Sequence, residues 1–451
     1  MSESVQHPDK NEVGEHPSRE TQPSGTVTRY QSLALLGSSL LAAVSTLVVT
    51  MIAQRALNGS ELTEFLLFWA ALFTVTGIIT GIQPEITRAV GTARTQTVSA
   101  DGSAPQGARV VTVTAALGAI AGALVLVSSP LWAGHQIPHS AAVGVTVMAV
   151  GVFLYALQAT MSGVTAGEDR WYLFAAVGGL ESAGRLILML AAALMIPSLA
   201  GLEVATVVPM GLWLILAFVT VSGRRLWVAR ADVPAGRLTA NILWSFLSSA
   251  AAAVLMMGFP NVLKASGAAE SEPVVLGTLI LAISITRSPI MIPLQAFQGV
   301  AVSAFLKQRH RPVAAFIKPA AAVVAVGATG ALAAYLVGPL LFRLIYPPAA
   351  GAESAYEAAA SGITLGALVF ASALLALMTL SGNMALAVNQ HRIYLAGWVV
   401  AAAVTLSLAF LIPAPLVPRA IVALAVGPVC GFVVHMVGVS LASRTEEAHA
   451  E

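Results

Sequence analysis

The chain has 451 residues, of which 57% are hydrophobic and only 10% are charged. Because a soluble domain carries about 25% charged residues, this composition argues strongly against a soluble enzyme, a disordered protein or a nucleic-acid binder. The net charge of +2 carries little information. A single cysteine, Cys430, excludes disulfides within the chain and cysteine-cluster metal sites.

Long apolar runs predict about 12 transmembrane helices, each near the roughly 20 residues that cross a bilayer. Each run should be helical, since backbone groups in lipid must find hydrogen-bond partners within their own segment. A membrane β-barrel would need alternating polarity, which the run "LILMLAAALMI" lacks. The predicted spans are 31–53, 65–84, 110–133, 141–166, 171–196, 204–223, 239–260, 274–303, 313–337, 357–380, 393–413 and 417–442.

The polar segments between the spans divide the chain into two halves. The segment "SGRRLWVARADVPAGR" follows the sixth span, and each half opens with a moderately polar helix and a short acidic loop, as two parallel repeats would. The first 28 residues are polar and are expected to be disordered. The predicted parts are a cytoplasmic tail (1–28), an N-lobe with helices 1–6 (29–225), a cytoplasmic linker (226–238), a C-lobe with helices 7–12 (239–443) and a second cytoplasmic tail (444–451).

Lysine and arginine are distributed unevenly between the two sides of the predicted membrane. With the N-terminus in the cytoplasm, 17 of the 23 Lys and Arg residues fall in or beside cytoplasmic segments. The four on the outer side are Arg55, Lys264, Arg343 and Arg419. Because positive charge is retained on the cytoplasmic side, we predict a multi-pass protein of the inner (plasma) membrane with both termini in the cytoplasm.

Three stretches of the sequence resemble one transporter superfamily. They are "RALNGSELTEFLLFWAALFTVTGIITGIQPEITRAV" (55–90), "LGTLILAISITRSPIMIPLQAFQGVAVSAFLK" (276–307) and "LAVNQHRIYLAGWVVAAAV" (386–404). The pattern resembles the multidrug/oligosaccharidyl-lipid/polysaccharide (MOP) exporters, and among them the polysaccharide-type flippases of high-GC Gram-positive bacteria.

The resemblance implies a fold and a function. The fold would be all-α, with about 12 transmembrane helices in two six-helix lobes around a central cavity. The protein would move a polyprenyl-pyrophosphate-linked oligosaccharide from the inner to the outer leaflet by alternating access. The expected partners are this substrate and membrane lipid, with a polysaccharide polymerase and glycosyltransferases as candidate further partners, and no nucleic acid.

The eighth span carries an arginine near its middle. At about 100° per residue, Ser284, Arg287, Ser288, Gln295 and Gln298 occupy an arc of about 100° on an otherwise apolar helix. A guanidinium presents a planar fork of donors to a pyrophosphate. The pattern predicts a cavity wall that binds substrate phosphate, and the alternative is an arginine paired with a neighbouring helix for packing.

The fifth span carries Glu181 and Arg185, four residues apart on one helix face. This spacing is equally typical of a structural ion pair and of a functional pair. In the functional interpretation, Glu181 binds a proton or sodium ion and Arg185 is released to bind substrate.

Two further sets of charges lie at predicted span ends. Glu85 and Arg88 can pair at the cytoplasmic end of the second span, either as a gate contact or as a plain interfacial pair. Arg55, at the outer end of the first span, could close a gate with Glu61 or Glu64, or extend to the lipid headgroups.

The sequence contains no phosphate-binding glycine loop, ATPase motif or usable Ser/His/Asp spacing. We therefore expect no enzymatic activity, no cofactor and no metal site. The alternatives that the sequence leaves open are an ion-coupled multidrug exporter of the same fold, a membrane-embedded polyprenyl-sugar transferase, and a non-transporting scaffold.

Overall fold

The structure is a computed structural model, and it describes residues 28–99, 107–267, 273–307, 312–348, 353–388 and 390–450. These ranges are helical apart from turns, connections and one isolated β-bridge between Arg109 and Arg230. The sixteen α-helices are α1 (Arg29–Ala56), α2 (Gly59–Ile79), α3 (Ile82–Ser99), α4 (Val110–Gln136), α5 (Ala141–Gly167), α6 (Trp171–Met195), α7 (Leu199–Val207), α8 (Trp213–Val219), α9 (Ala235–Ala253), α10 (Phe259–Ala265), α11 (Pro273–Lys307), α12 (Pro312–Ile345), α13 (Glu353–Ala359), α14 (Gly362–Ala387), α15 (His391–Leu411) and α16 (Leu416–Ala450).

Within the described residues, twelve helical stretches are long and apolar enough to cross a membrane. This confirms the predicted all-α fold, and the chain is a multi-pass membrane protein. The second span is longer than predicted, because it combines α2 and α3 over Gly59–Gln96. Pro84 was expected to end it, but Pro84 lies in the first turn of α3, where a missing N–H breaks no helical hydrogen bond.

The two predicted tails lie at the ends of the sequence. Residues 1–27 lie outside the described residues, so their predicted disorder stays a prediction. Thr28 caps α1: its hydroxyl accepts from the backbone N–H of Gln31, whose side chain accepts from the backbone N–H of Thr28. At the other end, α16 continues as a helix through residues 444–450, the segment predicted as a tail.

Because successive spans run in opposite directions, the connections between them collect at two ends of the bundle. The distal end is the one at which α1 ends and α2 begins, at residues 57–58. The proximal end is the opposite one, at which α1 begins and the segment 220–234 connects the two halves. These two terms are independent of which end faces the cytoplasm.

The two halves share one apolar core at the distal end. It combines Val49, Phe65 and Leu202 of the first half with Leu276 and Tyr346 of the second. Hydrogen bonds cross the same junction: the Thr50 and Tyr346 hydroxyls lie 2.8 Å apart. Burial of these side chains in one core joins the halves at this end.

Towards the proximal end the cores separate. One cluster belongs to the first half, the connecting segment and the start of α9, whereas two others belong to the second half. The second span also stays packed against α9, where small residues allow close approach. A Cβ at Gly77 would lie 2.9 Å from the Ala253 Cβ, and one at Gly81 would lie 2.8 Å from the Ser245 carbonyl carbon. Apart from this contact between the second span and α9, the two halves share a core at the distal end and have separate cores towards the proximal end.

Candidate functional site

Arg287 lies in α11 and reaches the seventh span, which runs through α9, a π-helical segment (Val254–Gly258) and α10. Its Nη1 donates to the carbonyl oxygen of Met256. In an α-helix this carbonyl would accept from the residue four positions later, but that residue is Pro260, which has no N–H. Pro260 cannot bond this carbonyl, and Arg287 donates to it instead.

A cavity of about 10 Å³, room for about one water molecule, lies inside the second half beside the Arg287 side chain. It lies between the seventh and eighth spans and the helices α14 and α16. Apart from Arg287, its polar lining residues are Thr286 and Ser372. The Arg287 Nε has no hydrogen-bond partner among the described residues, and no described acid pairs with this guanidinium. The side chain thus keeps an uncompensated charge and free donors.

Of the other polar residues predicted on this helix face, the structure describes the side chains of the two serines but not those of the two glutamines. The hydroxyl of Ser284 donates to the Ile280 carbonyl oxygen at 2.8 Å, and that of Ser288 donates to the Ser284 carbonyl oxygen at 2.8 Å. Both donors are therefore used within the helix, although each oxygen can still accept. Gln295 and Gln298 have a described helical backbone, but their side chains lie outside the described part of the chain.

Glu181 and Arg185 form the predicted ion pair on α6. Arg185 is only 5% exposed. Its guanidinium carbon lies 5.8 Å from the centre of the Trp69 ring and 5.1 Å from that of Phe73, both on α2. Cation–π contacts of this kind stabilise a desolvated arginine.

Gln158 of α5 completes this cluster, and the sequence analysis did not identify it. Its side-chain amide donates to the second Glu181 oxygen at 2.5 Å. Both oxygens of Glu181 are therefore hydrogen-bonded, and the pair is fixed from two helices. Gln158 could have been identified from the sequence, because it is a lone glutamine in an apolar run. The two aromatic residues could not, because aromatic side chains are ordinary in a membrane span.

Glu85 and Arg88 lie at the proximal end, and they also bind residues that sequence analysis did not connect to them. Arg88 bonds Glu85 at 2.7 Å and Asp232 of the connecting segment at 2.8 Å. Glu85 accepts from the side-chain amide of Asn241 in α9 at 2.9 Å. This proximal clamp, defined by Glu85, Arg88, Asp232 and Asn241, ties α3 to the connecting segment and to the second half.

Arg55 does not meet either of its candidate partners in this structure. It is exposed and donates to the Met51 carbonyl oxygen of its own helix at 3.2 Å. Glu61 instead accepts from the backbone N–H of Asn58 at 3.3 Å. Glu64 is buried and accepts from the backbone N–H groups of His139 and Ser140. A gate between Arg55 and these acids is not formed here.

Among the described residues, the structure therefore places a buried arginine, Arg185, in the first half and a half-buried one, Arg287, within a span of the second half. In the first half, Arg185 is neutralised by Glu181 and enclosed by aromatic rings. In the second half, Arg287 is uncompensated and borders a cavity. A guanidinium with free donors can bind a phosphate or carboxylate group.

Solved structures with the same fold are transporters. The chain superposes on an inward-facing multidrug resistance MATE family transporter of the MOP superfamily with a TM-score of 0.68 at 15% identity, covering 92% of this chain and 99% of that chain. The lipid II flippase MurJ, in an inward closed conformation, gives a TM-score of 0.67 at 9% identity, covering 92% of this chain and 88% of that chain. The fold is that of the MOP superfamily.

Similar sequences place the chain in a mycobacterial family, although no protein-family model matches it. It is 34% identical over 431 residues to Uncharacterized protein Rv3630 of Mycobacterium tuberculosis, covering 94% of this chain and 95% of that protein. It is 32% identical over 417 residues to Uncharacterized protein Rv1510 of the same organism, covering 92% of each. The chain belongs to the family of these proteins.

Proposed function

We propose that the chain is a flippase that moves a polyprenyl-pyrophosphate-linked oligosaccharide from the inner to the outer leaflet by alternating access. The observation that carries this proposal is the uncompensated guanidinium of Arg287, beside a cavity in the second half. A charge within a span is costly, about 2.5–3.5 kcal/mol on insertion scales. Residues that bear this cost commonly face a substrate path.

The sign of this charge favours an anionic substrate. In a conformation that widens this cavity of about 10 Å³, a pyrophosphate can accept from the Arg287 donors that the described residues leave unpaired, and its charge would compensate that of the guanidinium. An exporter of cationic drugs would instead need an accessible acid. Glu181, the acid deepest in the first half, is already bonded by Arg185 and Gln158. The multidrug interpretation is therefore less well supported.

The arrangement of the halves supports alternating access. The distal ends are held in one core, whereas the proximal cores are separate. The TM-score is higher with the inward-facing MATE transporter (0.68) than with an outward-facing one (0.60). We infer that the proximal end is cytoplasmic and open in this conformation. The similarity to a lipid II flippase also supports a lipid-linked substrate.

The proposal can be tested in vesicles containing the purified protein and a fluorescent polyprenyl-pyrophosphate oligosaccharide. Protein-dependent movement between leaflets is expected, with near-complete loss in Arg287→Gln. Arg287→Lys keeps the charge but lacks the bidentate fork, so a partial loss is expected there. The matched control is Arg343→Gln, which removes an exposed guanidinium from α12. Equal rates for wild type and Arg287→Gln would refute the phosphate-contact role.

The orientation of the chain in the membrane can be tested separately. A reporter fused after Arg237 should be cytoplasmic, and one fused after Glu272 should be external. The opposite pattern would invert every span and contradict an inward-open proximal end.

A further inference from the structure

Four residues at the distal end of the first half form a hydrogen-bonded acidic cluster. Glu64 begins the second span, Glu203 lies in α7, and His139 and Ser140 connect α4 to α5. Glu64 is 4% exposed and Glu203 is completely buried. Neither acid has an arginine or lysine partner among the described residues. Two acids buried together between apolar spans require a chemical explanation.

Glu64 is surrounded by donors. Its Oε1 accepts from the backbone N–H groups of His139 and Ser140, both at 2.8 Å. Its Oε2 lies 2.7 Å from the Nδ1 of His139. Glu64 therefore acts as a hydrogen-bond acceptor at the centre of the cluster.

Glu203 has a different environment. Its Oε1 lies 2.7 Å from the Ser140 hydroxyl oxygen, and its buried Oε2 has no hydrogen-bond partner in the described part of the chain. A Cβ at Gly144 would lie 3.2 Å and 3.3 Å from the two Glu203 oxygens, so the carboxyl packs directly against the backbone of α5. An ionised carboxylate would leave its charge without solvation there.

Counting hydrogens at Ser140 decides between the protonation states. The Ser140 hydroxyl oxygen lies 2.7 Å from Glu203 Oε1 and 3.1 Å from Glu64 Oε1. A hydroxyl has only one hydrogen to donate, and a carboxylate has none. If both acids were ionised, one of these two contacts would place two oxygens together without a hydrogen between them. One additional proton satisfies both contacts.

We propose that Glu203 is a proton-binding site. Its protonated carboxyl donates to the Ser140 hydroxyl, which donates in turn to Glu64. Loss of the proton would leave two carboxylates around one hydroxyl, with Glu203 charged and completely buried. The bound proton therefore stabilises the packing of the second span, α5 and α7 at the distal end.

Other charged groups near α7 do not supply a counter-charge to Glu203. The titratable or charged residues on the elements packed against α7, together with the α4–α5 connection, are Glu61, Glu64, His139, Tyr155, Tyr172, Glu181 and Arg185, of which Tyr172 is exposed at the start of α6. Glu61 caps its own helix, while Glu181 and Arg185 bond each other. Tyr155 lies with the latter pair. His139 binds Glu64, so the acid that faces Glu203 through Ser140 is Glu64.

The position of the site suggests how the proton could be used. The acidic cluster lies at the end where the two halves share one core. A proton that holds this end closed, and whose release loosens it, would couple a proton gradient to opening. This coupling role rests on the proposed function, whereas proton binding by Glu203 rests on the geometry alone.

Infrared spectroscopy of the purified full chain in lipid nanodiscs tests proton binding directly. A protonated carboxyl has an absorption band that disappears when it ionises. The wild type should show a band that Glu203→Gln abolishes and that the matched control Glu61→Gln retains. In Ser140→Ala the band should persist at a shifted frequency, because its hydrogen bond is lost. A spectrum unchanged by Glu203→Gln would overturn the proposal.

Thermal unfolding gives a second measurement on the same preparations. The folded chain holds a proton on Glu203 that the unfolded chain releases, so stability contributed by this residue falls as pH rises. The unfolding midpoint of the wild type should fall with rising pH more steeply than that of Glu203→Gln. Parallel curves for the two proteins would contradict proton binding.

Coupling is measured separately, in the vesicle assay under an imposed pH gradient. The gradient should change the transport rate of the wild type several-fold and leave that of Glu203→Gln unaffected. Transport that ignores the gradient in the wild type would refute coupling and leave the proposed function intact. Absence of any transport would refute the proposed function, and the infrared band would still decide whether Glu203 binds a proton.

Discussion

The buried Arg185 and the half-buried Arg287 differ in how their charge is balanced. Arg185 has Glu181 beside it on the same helix and two aromatic rings over its guanidinium. Arg287 has a single backbone carbonyl, that of Met256, and an unpartnered Nε. The protein itself therefore balances the charge of Arg185, whereas no described acid balances the charge of Arg287. Removal of each arginine should have a different main effect, on stability in one case and on transport in the other.

The largest effect on stability is expected from breaking the Glu181–Arg185 pair. Arg185→Ala leaves Glu181 charged and mostly buried, so stability should fall by about 3–5 kcal/mol. Replacing both residues by alanine removes the lone charge, and protein level should partly recover. Protein abundance and thermal unfolding in detergent measure this. If the double variant is abundant yet inactive in the vesicle assay, the pair also has a transport role.

Arg287→Gln should change stability much less. It loses one hydrogen bond, worth about 1 kcal/mol, and it removes an uncompensated charge from the membrane, which offsets that loss. We expect a net change within about 1 kcal/mol, measured by thermal unfolding beside the transport assay. A loss as large as that of Arg185→Ala would make Arg287 a structural residue and remove the difference between the two halves.

Breaking the proximal clamp should have a smaller effect on stability. Arg88 pairs with Glu85 and Asp232, but its side chain is 42% exposed. Solvent screens such pairs, so Asp232→Asn should cost only about 0.5 kcal/mol. Its unfolding midpoint should also approach that of the wild type as the salt concentration rises, since salt weakens the Arg88–Asp232 pair that only the wild type has. A loss of several kcal/mol would show that the clamp is a main joint between the halves.

Arg55→Gln should have the smallest effect. Arg55 is exposed and donates only to a carbonyl of its own helix. Stability and transport are both expected to remain within error of the wild type. A clear loss of transport with normal stability would indicate that Arg55 forms its gate contact in another conformation.

Sequence alone predicted the span number, the helical fold and the Glu181–Arg185 pair, because apolar run length and helical spacing are local properties. It also predicted the local Glu85–Arg88 pair, but not the long-range partners of Glu85, Glu64 or Gln158. Asn241 follows Glu85 by 156 positions and Glu203 follows Ser140 by 63, so only tertiary packing brings them together. The contacts of Arg287 could not be predicted either, since they depend on a π-helical segment and on Pro260, which lie in a different span.

Alternating access requires the joined distal ends to separate, and an engineered disulfide tests this most directly. A Cβ at Gly277 would lie 3.4 Å from the Thr63 Cβ across the two halves, close to the roughly 3.5–4.5 Å that a disulfide needs. The control pair is Gly338 with Leu365, which has the same 3.4 Å separation within the second half. Both pairs are introduced as cysteines after Cys430→Ser.

Oxidation of the Thr63→Cys/Gly277→Cys protein should abolish leaflet-to-leaflet movement of the labelled lipid, and reduction should restore it. The Gly338→Cys/Leu365→Cys protein should transport equally in both states. Undiminished transport by the fully cross-linked Thr63→Cys/Gly277→Cys protein would contradict an alternating-access mechanism in which the distal end opens.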